Sequence, residues 1–349
     1  MNRPFAIAGR LIGPDQPPYV IAEMSGNHNG DIGRALALIE AAAEAGADAV
    51  KLQTYTADTI TIDHDGPGFV VEGGLWNGRK LYELYQEAHT PWDWHPRLFD
   101  YAREVGITAF SSPFDPTAVA FLDALGAPAF KVASFELVDT PLIGCMARTG
   151  KPLIMSTGLA SPEDIADAVA AARAGGAQDI ALLHCTSGYP TPPSQMHLRT
   201  LADLAARHGT LVGLSDHSMG TAVSVAAVAL GACVIEKHFT LARADGGPDA
   251  AFSLEPDELA RLVADCRAAW EALGGVHYEE VEAERASREH RRSLYVVANV
   301  AVGEMLTETN IRSIRPGHGM APKHLPEVLG RRASRDLKRG EPLAWGMLE

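Results

Sequence analysis

Lys51 and Lys131 lie inside apolar runs, Ala-Val-Lys-Leu and Ala-Phe-Lys-Val. Lysine is rarely buried without a partner. An ion pair with a neighbouring glutamate accounts for one such lysine. Two of them, accompanied by Ser112, Ser134, Ser156 and Ser215, favour a bound phosphate or carboxylate held by charge-assisted hydrogen bonds. An imine-forming lysine stays open as an alternative. Two histidines raise a parallel question, because His217 and His238 each close a short apolar segment, Gly213-Leu-Ser-Asp-His217 and Cys233-Val-Ile-Glu-Lys-His238. A lone histidine in such a place is more often hydrogen-bonded structure. Two at the ends of adjacent strands can converge on one divalent cation, and a set of only two nitrogens leaves coordination positions open for substrate oxygens and water. Imidazole with oxygen ligands admits manganese.

These residues need a scaffold that brings distant segments to one rim. From Tyr19 the chain repeats a short apolar strand followed by an amphipathic helix, with strands expected at 20–22, 49–52, 109–111, 129–132, 153–155, 181–183, 211–214 and 233–236. Ser161-Pro162-Glu163-Asp164 reads as a helix start, a cap residue followed by proline. Eight strand–helix units are the count for a closed (β/α)8 TIM barrel, whose active site lies at the C-terminal strand ends. An open dinucleotide-binding sheet would need a G-x-G-x-x-G turn after its first strand, and Ser25-Gly-Asn-His-Asn-Gly30 lacks that spacing. The strand ends in order carry Glu23, Lys51 with Gln53, Ser111-Ser112, and Lys131 with Ser134 and Glu136. Ser156-Thr157, His184 with Thr186-Ser187, Ser215-Asp216-His217 and Glu236-Lys237-His238 follow.

The expected organisation is a catalytic barrel over residues 1–275 with an N-terminal hairpin, a charged linker over 276–292, and a small β-rich module over 293–349. The module contains an internal echo, Val302-Gly-Glu-Met-Leu-Thr307 and Arg339-Gly-Glu-Pro-Leu-Ala344. With 349 residues and a formal charge of −14, the chain is a poor partner for nucleic acid or anionic membranes. Its four cysteines show no CxxC spacing, which fits buried thiols in a reducing cytoplasm. The first residues are too short and too interrupted by Arg10 for a signal peptide, and no apolar run reaches the roughly 18 residues of a membrane span.

Longer motifs carry a resemblance. Ile21-Ala-Glu-Met-Ser-Gly-Asn-His-Asn-Gly30, Val50-Lys-Leu-Gln-Thr54, Leu183-His-Cys-Thr186 with Tyr189-Pro-Thr-Pro192, Gly213-Leu-Ser-Asp-His217 and Glu236-Lys-His-Phe-Thr240 resemble the sialic acid (nonulosonic acid) synthase family across essentially the whole chain. The terminal module, with Arg315-Pro-Gly-His-Gly319, resembles that family's antifreeze-like (SAF) domain. The resemblance implies condensation of phosphoenolpyruvate with an N-acylated amino sugar, release of phosphate, and manganese or magnesium on His217 and His238. It assigns Lys51, Ser112, Lys131, Ser134, Ser156, Ser187 and Ser215 to phosphoenolpyruvate, and Glu23, Gln53, Glu136, Tyr189 and Asp249 to the sugar. It makes Glu23, Glu136, Lys51 and Arg315 catalytic, with Arg315 reaching into a second subunit of a domain-swapped homodimer.

Within the family, the stretch from Trp76 to Trp92, Asp245-Gly-Gly-Pro-Asp249, Ala251-Phe-Ser-Leu-Glu255 and Arg291-Arg-Ser-Leu-Tyr295 resemble the pseudaminic acid synthases. Where N-acetylneuraminate synthases place an asparagine near the sugar, this chain has Trp76, a ring suited to a 6-deoxy carbon. The rival readings are an N-acetylneuraminate or legionaminate synthase, a metal-dependent barrel hydrolase, and a sugar- or ice-binding protein. A hydrolase calls for a denser ligand set, and a binding module has no use for paired lysines, histidines and glutamates at one rim.

Overall fold

The computed structural model describes residues 3–74 and 76–349. An antiparallel hairpin of β1 (Phe5–Ile7) and β2 (Arg10–Ile12) precedes the main fold. The barrel strands are β3 (Tyr19–Glu23), β4 (Ala49–Thr54), β5 (Thr108–Pro113), β6 (Phe130–Val132), β7 (Leu153–Ser156), β8 (Ile180–Cys185), β9 (Leu211–Asp216) and β10 (Val234–His238). All neighbours are parallel, and β10 closes the ring on β3. Each expected strand forms. Several run past the end of their apolar pattern, as in β9 to Asp216 and β10 to His238, because the backbone ladder continues after the side chains turn polar. The helix Pro162–Ala174 starts where the sequence places it, with Ser161 Oγ accepting from the Asp164 N–H and the Asp164 carboxylate accepting from the Ser161 N–H.

Strand side chains alternate, so each strand feeds two layers. Outward residues such as Val20, Ala22, Val50, Leu52, Val132 and Leu214 join the apolar faces of the surrounding helices in one core. Inward residues, among them Tyr19, Ile21, Ala49, Phe110, Ile154, Leu183 and Val234, fill the lower barrel, and Phe5, Ile7 and Ile12 of the hairpin belong to the same buried cluster. Closure is tight at Gly213, where an added Cβ would come within 2.4 Å of the Val234 carbonyl and 2.6 Å of Leu183 Cδ2. Only above these apolar layers do the inward positions become polar, and that switch sets the floor of the open end.

A second compact unit spans Gly275–Glu349. Its first part is an exposed stretch with 3-10 turns over Glu282–His290. β11 (Ser293–Val296) and β12 (Ile311–Ile314) pair antiparallel over a core that includes Leu294, Val296, Leu306 and Val328. The internal echo is structural. Gly303 and Gly340 both take positive φ, 78° and 95°, and the glutamate after each accepts a backbone N–H three residues earlier, Ala301 to Glu304 and Lys338 to Glu341. Val300 and Leu337, just before the two turns, exchange backbone hydrogen bonds of 2.9 and 2.8 Å. No helix among the described residues is long and apolar enough to cross a membrane.

Candidate active site

The open end of the barrel holds a cavity of about 570 Å³. Its floor is built from inward positions of successive strands: Glu23 on β3, Lys51 and Gln53 on β4, Lys131 on β6, Ser156 on β7, Ser215 on β9, and Glu236 and His238 on β10. Lys51 is fully enclosed, with its ammonium 2.8 Å from Glu23 Oε2, 3.6 Å from Glu236 Oε1 and 3.3 Å from Ser112 Oγ. The glutamate pairing that the sequence offered as the simpler account therefore holds for Lys51. Gln53 Nε2 donates to Glu23 Oε1 at 2.9 Å, and Ser215 Oγ donates to Glu236 Oε1 at 3.3 Å.

Lys131 differs. Its ammonium donates to Ser156 Oγ and to the Val132 carbonyl, both at 2.7 Å, and makes no carboxylate ion pair among the described residues. Burial pushes this lysine down to about 8, with Glu236 opposing the shift. Burial also raises Glu23 to about 7 against the pull of Lys51. Glu136 rises to about 7 for the same reason, desolvation. Burial would raise Glu236 as well, but Lys131 and Lys51 together outweigh it and hold this carboxyl below its ordinary value. The floor thus keeps one ionised carboxylate, one firmly charged lysine, and three groups that change charge near neutrality. A lysine left short of negative charge is poised to accept an anion.

His217 and His238 lie together, with ring centres 5.4 Å apart. His217 Nδ1 donates to the Thr186 carbonyl at 3.0 Å, because a carbonyl can only accept. Burial opposes the charged ring, but Cys185, this carbonyl and Glu236 together raise the histidine above its ordinary value, so Nε2 offers a lone pair only in the neutral form. His238 Nδ1 is buried with no hydrogen-bond partner, and Asp249 Oδ2 stands 3.9 Å from it, beyond hydrogen-bond reach. Burial lowers His238 well below its ordinary range, which keeps the neutral, metal-binding form. Two imidazoles bound to one ion at about 2.1 Å put their ring centres roughly 4.5–5.2 Å apart, near the observed spacing. Among the described residues no group of three or more His, Cys, Asp or Glu is arranged to hold a metal. The two imidazoles alone are spaced so that they could share one ion.

The upper wall is apolar and aromatic. Tyr55, Leu81, Leu84, Tyr85, Phe114 and Phe135 line it, with Trp76 and Tyr189 packed edge to face at 5.7 Å. Trp76 Nε1 donates to the Pro248 carbonyl at 3.0 Å, and Tyr189 lies 4.5 Å from the His217 ring. Asp249 accepts from Ser25 Oγ, and burial raises its carboxyl.

The structure brings most of the expected residues together: Glu23, Lys51, Gln53, Trp76, Lys131, Ser134, Glu136, Ser156, Tyr189, Ser215, His217, His238 and Asp249 all face this cavity. Ser112 is buried behind Lys51, and Ser187 packs 3.9 Å from Cys185 Sγ, so neither lines the wall. Arg315 is exposed after β12 in the second unit. Strand alternation corrects the view that every polar strand end converges on one rim. Ser111 turns outward to Thr54 Oγ1, His184 to the Met196 carbonyl, and Asp216 and Lys237 to each other. Glu236 was missed as a site residue, although its place two before His238 puts both on one strand face. Leu81, Leu84 and Tyr85 of the wall share one face of the helix Leu81–Ala88 at i, i+3, i+4 spacing, whereas Tyr55, Trp76, Phe114, Phe135 and Tyr189 come from loops with no sequence period.

Fold and cavity together define a (β/α)8 barrel whose open end carries a buried floor of lysines and carboxyls beneath an aromatic wall. The NeuB family model matches residues 38–278, and the SAF domain model matches residues 291–349. The chain is 43% identical over 332 residues to a pseudaminic acid synthase of Campylobacter jejuni, covering 95% of this chain and 97% of that one. It is 41% identical over 333 residues to a pseudaminic acid synthase of Helicobacter pylori, covering 94% and 97%. A crystal structure of N-acetylneuraminic acid synthetase from Leptospira borgpetersenii matches with a TM-score of 0.73 at 30% identity, over 83% of this chain and 97% of that one. The chain belongs to the NeuB family.

The Lys131 environment makes a stability prediction. Its folded value of about 8 lies below the 10.5 of a free lysine, so its destabilising effect is full below pH 8 and fades as pH rises toward 10.5. Lys131→Met is expected to stabilise the protein at pH 7 by roughly 1–2 kcal/mol, after allowing for the support Glu236 loses. Thermal melts of both proteins at pH 7 and pH 10 check this; a variant less stable at pH 7 contradicts the reading.

Proposed function

We propose that this enzyme condenses phosphoenolpyruvate with 2,4-diacetamido-2,4,6-trideoxy-altrose and water, giving pseudaminic acid and phosphate. The observation that carries the reading is Lys131, a buried lysine with no carboxylate ion pair among the described residues, one strand away from Ser156 and sharing the floor with Lys51. Phosphate and carboxylate of one small anion match these two cationic points, with Ser134 and Ser215 as further donors. The apolar wall around Trp76 suits a sugar with a methyl at carbon 6 and acetyl groups on two nitrogens, and the relatives named pseudaminic acid synthase support that choice.

In this reading the floor positions carbon 3 of phosphoenolpyruvate against the open-chain aldehyde carbon of the sugar. A new C–C bond forms there, and positive charge develops at carbon 2 of the former enol. Glu236, held ionised on the same floor, is the carboxylate assigned to stabilise that charge. Water adds at carbon 2, and Glu23, near 7, takes its proton. Glu136, also near 7, gives a proton to the former aldehyde oxygen. The hydroxyl now on carbon 2 then becomes the keto group as the C–O bond to phosphate breaks, its proton leaving with the phosphate, whose oxygens are held by Lys131, Ser134 and Ser156. A divalent ion, manganese or magnesium, held by His217 and His238 supplies Lewis-acid polarisation of the sugar carbonyl. We place the reaction in the cytoplasm, where phosphoenolpyruvate is made and the free thiols stay reduced.

Phosphate release tests this directly. With phosphoenolpyruvate and manganese, the diacetamido trideoxy sugar is expected to exceed N-acetylmannosamine at least about 100-fold in kcat/KM, since a wall built for methyl groups leaves hydroxyls unpaired. Equal or higher turnover with N-acetylmannosamine contradicts the sugar choice, and full activity after chelation contradicts the metal.

The same reading includes a domain-swapped homodimer in which Arg315 completes the partner's cavity. Its planar fork suits carbonyl or carboxylate oxygens, and it is exposed on a small separate unit. Arg315→Ala and Lys131→Met proteins, each nearly inactive, should regain up to about a quarter of wild-type activity when co-refolded, because half the molecules are mixed dimers with one intact site of two. No recovery in demonstrated heterodimers places the arginine's action in its own subunit or nowhere.

A further inference from the structure

One buried ion pair lies beside the cavity without lining it. Asp216 and Lys237 are cross-strand partners on β9 and β10; His217 follows directly after β9, and His238 ends β10. Their charged atoms are 2.8 Å apart, and both side chains are wholly shielded from solvent on the helix side of the sheet. Asp216 Oδ1 accepts the Ser218 N–H at 2.8 Å and Ser218 Oγ at 2.7 Å, and Oδ2 accepts from Ser224 Oγ at 2.6 Å as well as from Lys237. Lys237 also donates to the Ser218 carbonyl. One carboxylate–ammonium pair thus grips the residues on both sides of His217 and the residue before His238. On the far side of His238, the Phe239 N–H donates to the Glu23 carbonyl at 2.8 Å, and Asn27 Nδ2 donates to the Phe239 carbonyl at 2.8 Å.

Stability alone is a poor account of such a pair. Desolvating two charges costs as much as their attraction returns, and apolar replacements of similar volume are often neutral or stabilising. What an apolar pair cannot do is fix register and direction, with four hydrogen bonds aimed at specific backbone and hydroxyl groups besides the one within the pair. We propose that Asp216 and Lys237 are positioning residues that set the separation and orientation of His217 and His238, and through them the affinity for a divalent cation they never touch. The inference rests on the metal reading of those two histidines.

The test is manganese titration by calorimetry on wild type, His217→Ala, Ser224→Ala and the double variant Asp216→Asn/Lys237→Met. The double variant leaves no unpaired buried charge, retains an oxygen for the Ser218 N–H, and lets the new amide donate to Ser224 Oγ. It is expected to fold, as circular dichroism would show, yet to bind manganese 10–100-fold more weakly, the usual effect of losing support behind a ligand. Phosphoenolpyruvate affinity measured in chelator should change less than threefold, which separates displaced ligands from general damage. Ser224→Ala keeps the charged pair and loses one bond to Asp216, so a several-fold weakening is expected, and it decides the matter should the double variant not fold. Unchanged manganese affinity in the folded variants overturns the positioning role alone. Wild type that binds no manganese, or His217→Ala that binds as tightly as wild type, removes the metal reading and this inference with it.

Discussion

A lysine ammonium enclosed between two carboxylates is the interaction on which the rest of this site depends. Lys51 contacts Glu23 and Glu236 at 2.8 and 3.6 Å inside the barrel. One positive charge cannot fully compensate two negative ones in a poorly solvated space, so the carboxyls divide. Glu236, flanked also by Lys131, stays ionised, and Glu23 is held near neutrality. That division supplies a permanent negative charge and a proton-exchanging group on one floor. It also leaves Lys131 with a share of Glu236 rather than a partner of its own, which makes the cavity short of negative charge where Ser156 lies.

The barrel makes such an arrangement affordable by confining it to one layer. Below the floor, Ile21, Phe110, Ile154 and Leu183 are dry, and the hairpin side chains Phe5, Ile7 and Ile12 share their cluster. The charged layer therefore meets low-dielectric material below and loops above, where each electrostatic contact counts for more than it would in water. Outside the sheet, a second polar pair, Asp216 and Lys237, backs the two histidine strands. The two sides of the sheet carry different work: chemistry faces inward, and the groups that hold the backbone face outward.

Much of this was legible in the sequence, for identifiable reasons. Eight apolar runs separated by amphipathic segments mark the strands, since burial on both faces leaves little room for polar residues. Lysines in such runs and histidines at their ends mark the floor. The direction of each polar residue was harder. Lys237 and His238 are adjacent, as are Asp216 and His217, and only pairing register decides which faces the cavity. Glu236 was within reach, since it lies two residues before His238 on the same strand and so on the same face. In the wall, Leu81, Leu84 and Tyr85 recur at helical spacing on the helix Leu81–Ala88, but only tertiary contacts decide that this face covers the barrel mouth. Tyr55 sits in a loop where no period announces it, and whether Ser112 or Ser187 reaches the cavity depends on depth along the barrel axis.

The central claim is that the floor is charge-deficient around Lys131 until an anion arrives. Calorimetry of phosphoenolpyruvate binding at pH 8, repeated in buffers of different ionisation enthalpy, measures the protons exchanged on binding. With Lys131 near 8, the account predicts uptake approaching about half a proton as the bound anion drives this lysine to full charge, and a clearly smaller uptake in Lys131→Met. Binding by the wild type with no proton uptake, or with net release, would contradict it.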